Sequence, residues 1–164
     1  MIEYGLAKII HLDALIFWLG PPLGAWFALK AIDSKEFVSG SVVEKVNEVF
    51  YLTLILEHVA FVALIASGVY LAVAFNMLSG DWLKQKLLII GIIVVPLEIL
   101  DVLLGNWLAN TASKKLYAGG VPSHWEKRGL KIYHGIFTKI AILVMPLCVF
   151  AIMYLATTKS ALPL

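Results

Sequence analysis

The chain has a single cysteine, Cys148. That excludes an internal disulfide and any zinc or iron–sulfur site built on several cysteines. Charge is scarce as well, with 15 % Asp, Glu, Lys and Arg against about 25 % in a soluble domain. The little charge present nearly balances, 13 Lys+Arg against 11 Asp+Glu. Such a balance leaves no basic face for nucleic acid. Metal and haem motifs within one segment are missing too: there is no His-x-x-x-His, no His-Glu-x-x-His and no Cys-x-x-Cys-His. Any ligand set must therefore be assembled from different helices. The start has no basic cluster, and the first apolar run ends at Lys30 rather than at a small-residue cleavage site. A cleaved signal peptide is not expected from that pattern.

What the chain has in excess is apolar surface. Hydrophobic residues make up 61 %, and the mean hydropathy is +0.91. Soluble domains hold about 45–50 % apolar residues, so a disordered chain is excluded and the composition argues strongly against a soluble enzyme. A helix needs about 20 apolar residues to cross a bilayer. Four runs qualify, at about 4–29, 46–75, 83–112 and 130–157, the fourth with 19 uncharged residues after Lys139. They use most of the chain, so the expected fold is one all-α integral membrane four-helix bundle spanning 1–164.

Turn residues separate the runs: Asp33-Ser34-Lys35 and Ser39-Gly40-Ser41, then 76–81, then Gly119-Gly120-Val121-Pro122. Two connections on one side hold Lys30, Lys35, Lys45, Lys114, Lys115, Lys127, Arg128 and Lys131. The opposite side, with both termini, holds Lys8, Lys84, Lys86 and Lys159. The positive-inside rule places the first group in the cytoplasm. A multi-pass protein of the cytoplasmic membrane with both termini on the outer side is expected.

The informative residues are the ionisable ones inside the spans. Each costs about 2–4 kcal/mol or more at the bilayer centre, so such residues face the bundle interior and mark function by default. Glu57, His58, Glu98, Asp101 and Lys139 lie well inside, and His11, Asp13, Lys86 and His134 lie nearer the ends. On the third span Gly91, Val94, Glu98, Asp101 and Gly105 recur at spacings of 3 and 4, a single stripe. Its acids point inward, and its small residues let helices approach closely. Gly20 and Gly24 offer a second close-contact candidate. Lys139 supplies one positive charge against three carboxylates, which leaves two readings: a structural ion-pair network, or a proton- or cation-handling site. Tyr4, Trp82, Trp107, Trp125, Tyr133 and Tyr154 are expected as interfacial anchors, with His124 and His134 also at the interface. His11 and His58 are either helix–helix contacts or ligands of a haem iron or another metal. A site of His58 with Glu98 and Asp101 is a further metal candidate.

Short motifs add a resemblance. The first helix reads Ala7-Lys8-Ile9-Ile10-His11 and then Phe17-Trp18-Leu19-Gly20. The second ends in Ser67-Gly68-Val69-Tyr70-Leu71, and the third opens with Trp82-Leu83-Lys84-Gln85-Lys86-Leu87. Over about the first 90 residues this resembles the small four-span bacterial membrane proteins around the HemJ-type protoporphyrinogen oxidases, with the CopD domain among them. The resemblance implies haem b, a functional first-helix histidine (His11) and a functional lysine after a tryptophan (Lys86). The chain departs from that pattern after its first helix, where it reads Pro21-Pro22-Leu23-Gly24. It departs again in the third helix, where Glu98 and Asp101 stand in place of a histidine.

The resemblance implies a haem-b membrane redox protein, an electron carrier or a small oxidoreductase. Its haem would be bound by His11, His58 and Lys86, with Glu98 and Asp101 moving protons and a quinone or a redox protein as partner. The alternative is a proton- or cation-translocating or metal-binding protein using Glu57, Glu98, Asp101 and Lys139, which four helices alone barely enclose and which calls for an oligomer.

Overall fold

In the computed structural model of the protein, residues 2–33 and 40–161 are described. They form four long helices and no strand among the described residues: α1 (Ile2–Asp33), α2 (Gly40–Ala74), α3 (Asp81–Tyr117) and α4 (His124–Thr158). All four are long and apolar enough to cross a membrane. The expected helical bundle is borne out, and the chain is a multi-pass membrane protein. The connection carrying Ser34, Lys35 and Ser39 lies outside the described residues.

Each helix outruns the apolar run that announced it. The 35 residues of α2 rise about 52 Å at about 1.5 Å per residue, whereas the hydrocarbon core is only about 30 Å thick. The surplus turns carry ion pairs at the helix ends, such as Lys84 Nζ to Asp81 Oδ1 at 2.7 Å and Lys115 Nζ to Glu126 Oε1 at 2.6 Å. Helix α4 starts on a capping box. Ser123 Oγ accepts from the Glu126 backbone N–H at 3.3 Å, and Glu126 Oε2 accepts from the Ser123 N–H at 2.6 Å. That satisfies two of the helix's unpaired N–H groups.

The core has two apolar layers, and every helix contributes to both. One holds Ala14 and Trp18 of α1, Ala60 and Leu64 of α2, Val94 of α3, and Cys148 and Val149 of α4. The other holds Leu29, Phe50, Tyr51, Leu54, Ala109, Tyr133 and Phe137. On α2 the layers are separated by Glu57 and His58, and on α3 by Glu98 and Asp101. The ionisable residues therefore form a polar layer between two dry ones.

Helices α3 and α4 are not regular. Wide π-helical turns occupy Ile90–Val94 and Val102–Ala109 in α3, and Tyr133–Phe137 in α4. Pro96 accounts for the first, because it lacks an N–H and its ring crowds the carbonyl four residues back. In α4, Thr138 Oγ1 donates to Tyr133 O at 2.6 Å, adding a second bond to the carbonyl that already accepts the Thr138 N–H. Such turns occur often at functional sites. Here two of them bracket the segment carrying Glu98 and Asp101.

Packing is uneven. Helix α1 lies along α2, α3 lies along α4, and α2 joins the two pairs through α3. Helices α1 and α4 barely meet. The close α3–α4 approach depends on two glycines. A Cβ on Gly129 would lie 2.4 Å from Leu108 Cβ, and one on Gly105 would lie 2.7 Å from the Tyr133 ring. Gly20, Gly24 and Gly91, expected as close contacts, meet nothing within 4 Å. The Gly20–Gly24 spacing thus marks an open face of α1 rather than a helix seam.

Gly129→Leu is expected to lower stability in detergent by about 2–3 kcal/mol through overpacking. Gly24→Ala is expected to be neutral or to raise stability by up to about 1 kcal/mol. Thermal unfolding of the two variants checks the pair, and an equally damaging Gly24→Ala would restore the α1 seam.

Candidate functional site

The site is built from side chains that each helix aims at the polar layer. From α1, Trp18 is 2 % exposed, and its indole Nε1 donates to Glu98 Oε1 at 2.7 Å. The other oxygen of Glu98, Oε2, lies 3.1 Å from His58 Nδ1 of α2. His58 then faces a second acid, with Nε2 at 3.4 Å from Asp101 Oδ2. Both of those atoms are buried, and neither has a formed hydrogen bond. Tyr133 of α4 is an electrostatic neighbour of Asp101. The sequence Trp18–Glu98–His58–Asp101–Tyr133 therefore crosses all four helices.

The two acids are not equivalent. Glu98 is held at both oxygens and is 5 % exposed. Asp101 is less enclosed and lines a cleft of about 440 Å³ between α1 and α4. Glu57 lines the same cleft, within electrostatic range of Asp101 and Glu98. The rest of the wall is apolar and aromatic, with Trp26, Phe50, Phe137 and Phe150 among its residues. The cleft exists because α1 follows α2 and leaves α4.

Spacing on α3 explains why both acids reach one imidazole. Glu98 and Asp101 are three residues apart, so they share a helical face. His58 sits on the facing side of α2 and spans the gap with its two ring nitrogens. An imidazole is suited to that role, since one nitrogen can accept a proton while the other gives one up. With Nδ1 protonated, the ring donates to Glu98 and turns a bare Nε2 toward Asp101.

The other candidates fall elsewhere. His11 of α1 lies a few turns along α2 from His58. Its Nδ1 is 3.1 Å from Leu64 O and 3.0 Å from Ser67 Oγ. Its ring packs on Gly68, where a Cβ would come within 3.0 Å of Cε1. Leu64 is six residues beyond His58, about 9 Å of helical rise. The structure does not bring His11 and His58 together. Lys86 is an electrostatic neighbour of His11, so those two sequence candidates do belong to one region. Among the described residues no group of three His, Cys, Asp or Glu side chains is arranged to hold a metal ion.

Two expectations need correcting, those for Lys139 and Tyr133. Lys139 is exposed on the outer face of α4 and makes no ion pair with Glu57, Glu98 or Asp101; its long chain can snorkel toward the interface. Tyr133 is no interfacial anchor: it is 2 % exposed, in the core and beside Asp101. His134 is part-buried, with Nε2 3.3 Å from Tyr51 Oη, and Tyr51 Oη in turn lies 3.2 Å from Ser113 Oγ. Trp107 and Trp125, at 67 % and 68 % exposure, do lie on the surface as anchors would.

Trp18 and Tyr133 are the site residues that sequence reasoning missed as participants. The hint for Trp18 was its spacing of seven from His11, which puts both on one face of α1. No such hint existed for Tyr133, whose position depends on the wide turn that begins there. No family model, no curated protein and no solved structure matches this chain, so its likeness to the HemJ-type group rests on the quoted residues alone.

Proposed function

We propose that the chain is a proton-handling protein of the cytoplasmic membrane, in which His58 passes a proton between Asp101 and Glu98. The observation that carries this reading is the placement of one imidazole between two carboxylates in a layer sealed above and below by apolar side chains. In the forward step, a protonated Asp101 gives its proton to His58 Nε2, and Nδ1–H passes to Glu98. One proton enters the ring and one leaves it, so the imidazole changes tautomer without lasting charge. Trp18 holds Glu98 in place through the 2.7 Å hydrogen bond. Asp101, on the cleft wall, is the end of the relay open to exchange with a substrate or with water. The positive-inside rule supports an orientation with Lys114, Lys115, Lys127 and Arg128 in the cytoplasm and both termini outside.

The relay is tested in proteoliposomes with an internal pH dye and an imposed potassium-diffusion potential. Wild-type protein is expected to pass protons, and Glu98→Gln, Asp101→Asn and His58→Phe are each expected to slow the flux at least tenfold. Equal flux in His58→Phe would end the reading.

A second reading has its own support at His11. Histidines that hold a metal commonly give their other N–H to a backbone carbonyl or a carboxylate. His11 Nδ1 faces Leu64 O in that manner, which leaves Nε2 bare. His11 would hold the iron of a haem b, with Lys86 nearby for a propionate. When bound, the iron would supply one-electron chemistry, which makes the protein an electron carrier or a small oxidoreductase with a quinone or redox protein as partner. His58 does not fit as the second ligand, since carboxylates engage both sides of its ring. The absorption spectrum of gently extracted protein, oxidised and reduced, decides this. A Soret band lost in His11→Ala and kept in His58→Ala is expected, and a colourless preparation would remove the haem.

A further inference from the structure

We propose that the α1–α4 cleft binds a lipophilic organic cation, with the Glu57 carboxylate as its counter-charge. This deepens the proton-handling reading and rests on it, because the cleft shares Asp101 with the relay. The volume, about 440 Å³, falls within the range of small-molecule sites, about 300–1,000 Å³. Three features of the wall select the chemistry.

The first is charge. Glu57 and Asp101 line the cleft, and no lysine, arginine or histidine does. Among the described residues Glu57 has no hydrogen bond or ion pair, and its electrostatic neighbours are the further acids Asp101 and Glu98. A carboxylate in an apolar surrounding is costly unless paired. The cation that sequence reasoning offered, Lys139, points outward from α4. An ionised Glu57 therefore draws its counter-charge from outside the chain.

The second is the wall itself. Trp18, Trp26, Phe50, Tyr133, Phe137 and Phe150 line the cleft, and aromatic faces attract cations through their quadrupoles. A bare metal ion would find too few oxygen or nitrogen ligands here. An organic cation with apolar substituents uses both the aromatic wall and the carboxylate.

The third is the lack of open donors. The indole Nε1 of Trp26 is unpaired, but its neighbours cover it completely. A neutral ligand that needs donated hydrogen bonds gains little on this wall. The cleft also lies between two helices that barely meet, so a ligand dissolved in lipid can enter sideways.

The probe is tetraphenylphosphonium, a permanent lipophilic cation, and the control is triphenylphosphine oxide, its uncharged relative. Binding to the purified full chain in detergent is followed by equilibrium dialysis, with quenching of the intrinsic tryptophan fluorescence in parallel. The cation is expected to bind saturably, and the neutral control at least tenfold more weakly. Glu57→Gln is expected to weaken cation binding at least tenfold. Ile142→Trp, which fills the cleft from α4 and leaves the acids in place, should abolish it, so the test survives if Glu57→Gln fails to fold. Equal binding of the neutral control would show a groove for lipid chains and overturn the proposal, as would unchanged affinity in both variants. Proton flux separates this outcome from the parent reading. Flux that needs His58, together with no cation binding, leaves the relay standing and removes only the cation site. Saturable, Glu57-dependent binding without flux removes the relay and keeps the site.

Discussion

Lipid cannot hydrogen-bond to a carboxylate, and this one constraint organises the bundle. Three acids and an imidazole lie at mid-helix, where hydrocarbon offers no partner, so Glu98, His58 and Asp101 turn to one another while Glu57 faces the cleft. The chain meets the constraint by layering. Apolar side chains from all four helices close over the acids on one side and under them on the other. Between these layers Glu98 draws one partner from α1 and one from α2. Removing any helix would strand a polar group in hydrocarbon, so the polar layer specifies which helices must meet. Double-mutant cycles put such interhelical hydrogen bonds at only about 0.6 kcal/mol each on average. Their larger contribution here is therefore to register and specificity rather than to raw stability.

The wide turns of α3 serve the same end. A regular α-helix would carry the stripe from Val94 to Gly105 straight along one face. Each wide turn takes in an extra residue and turns the following side chains around the axis. Glu98 and Asp101 lie on the regular segment Val95–Asp101 between two such turns. They face His58 there, while Gly105 beyond them faces the Tyr133 ring. Tyr133 opens the wide turn of α4, so irregular backbone on both helices meets at the one place where acids must be reached from α4. Pro96 supplies a local cause for the first turn, and the hydroxyl of Thr138 offsets part of the cost of the third.

Much of this was legible beforehand, for physical reasons. Apolar run length reveals spans because a bilayer has a fixed thickness. The stripe through Val94, Glu98 and Asp101 placed both acids inward because helical periodicity is local. Pairing between helices is not local. Nothing in the order of residues tells that Trp18 rather than His11 reaches Glu98, since that depends on how far α1 slides along α2. Lys139 was assigned to the acids on depth alone, and depth does not fix the side of a helix. The wide turn beginning at Tyr133 further unsettles any face counted forward from it. Gly20 and Gly24 misled in the opposite sense: a small-residue spacing permits a close approach but does not supply a helix to approach.

Asymmetry around His58 gives the layer a direction. Glu98 is sealed and has both oxygens occupied, whereas Asp101 belongs to the cleft wall with Glu57 beside it. A proton reaches Glu98 from the cleft through the imidazole, and because Trp18 has a donor and no acceptor to offer, net flux requires Glu98 to exchange one of its two partners for water. A charge arriving at the cleft acts first on Glu57 and Asp101 and then, through the ring, on Glu98. Placing a positive charge beside Glu57 stabilises the ionised form of both cleft acids, which favours release of a proton by Asp101 toward His58. The gap between α1 and α4 thus couples the electrostatics of whatever enters from the lipid to the protonation of a buried group that it never touches.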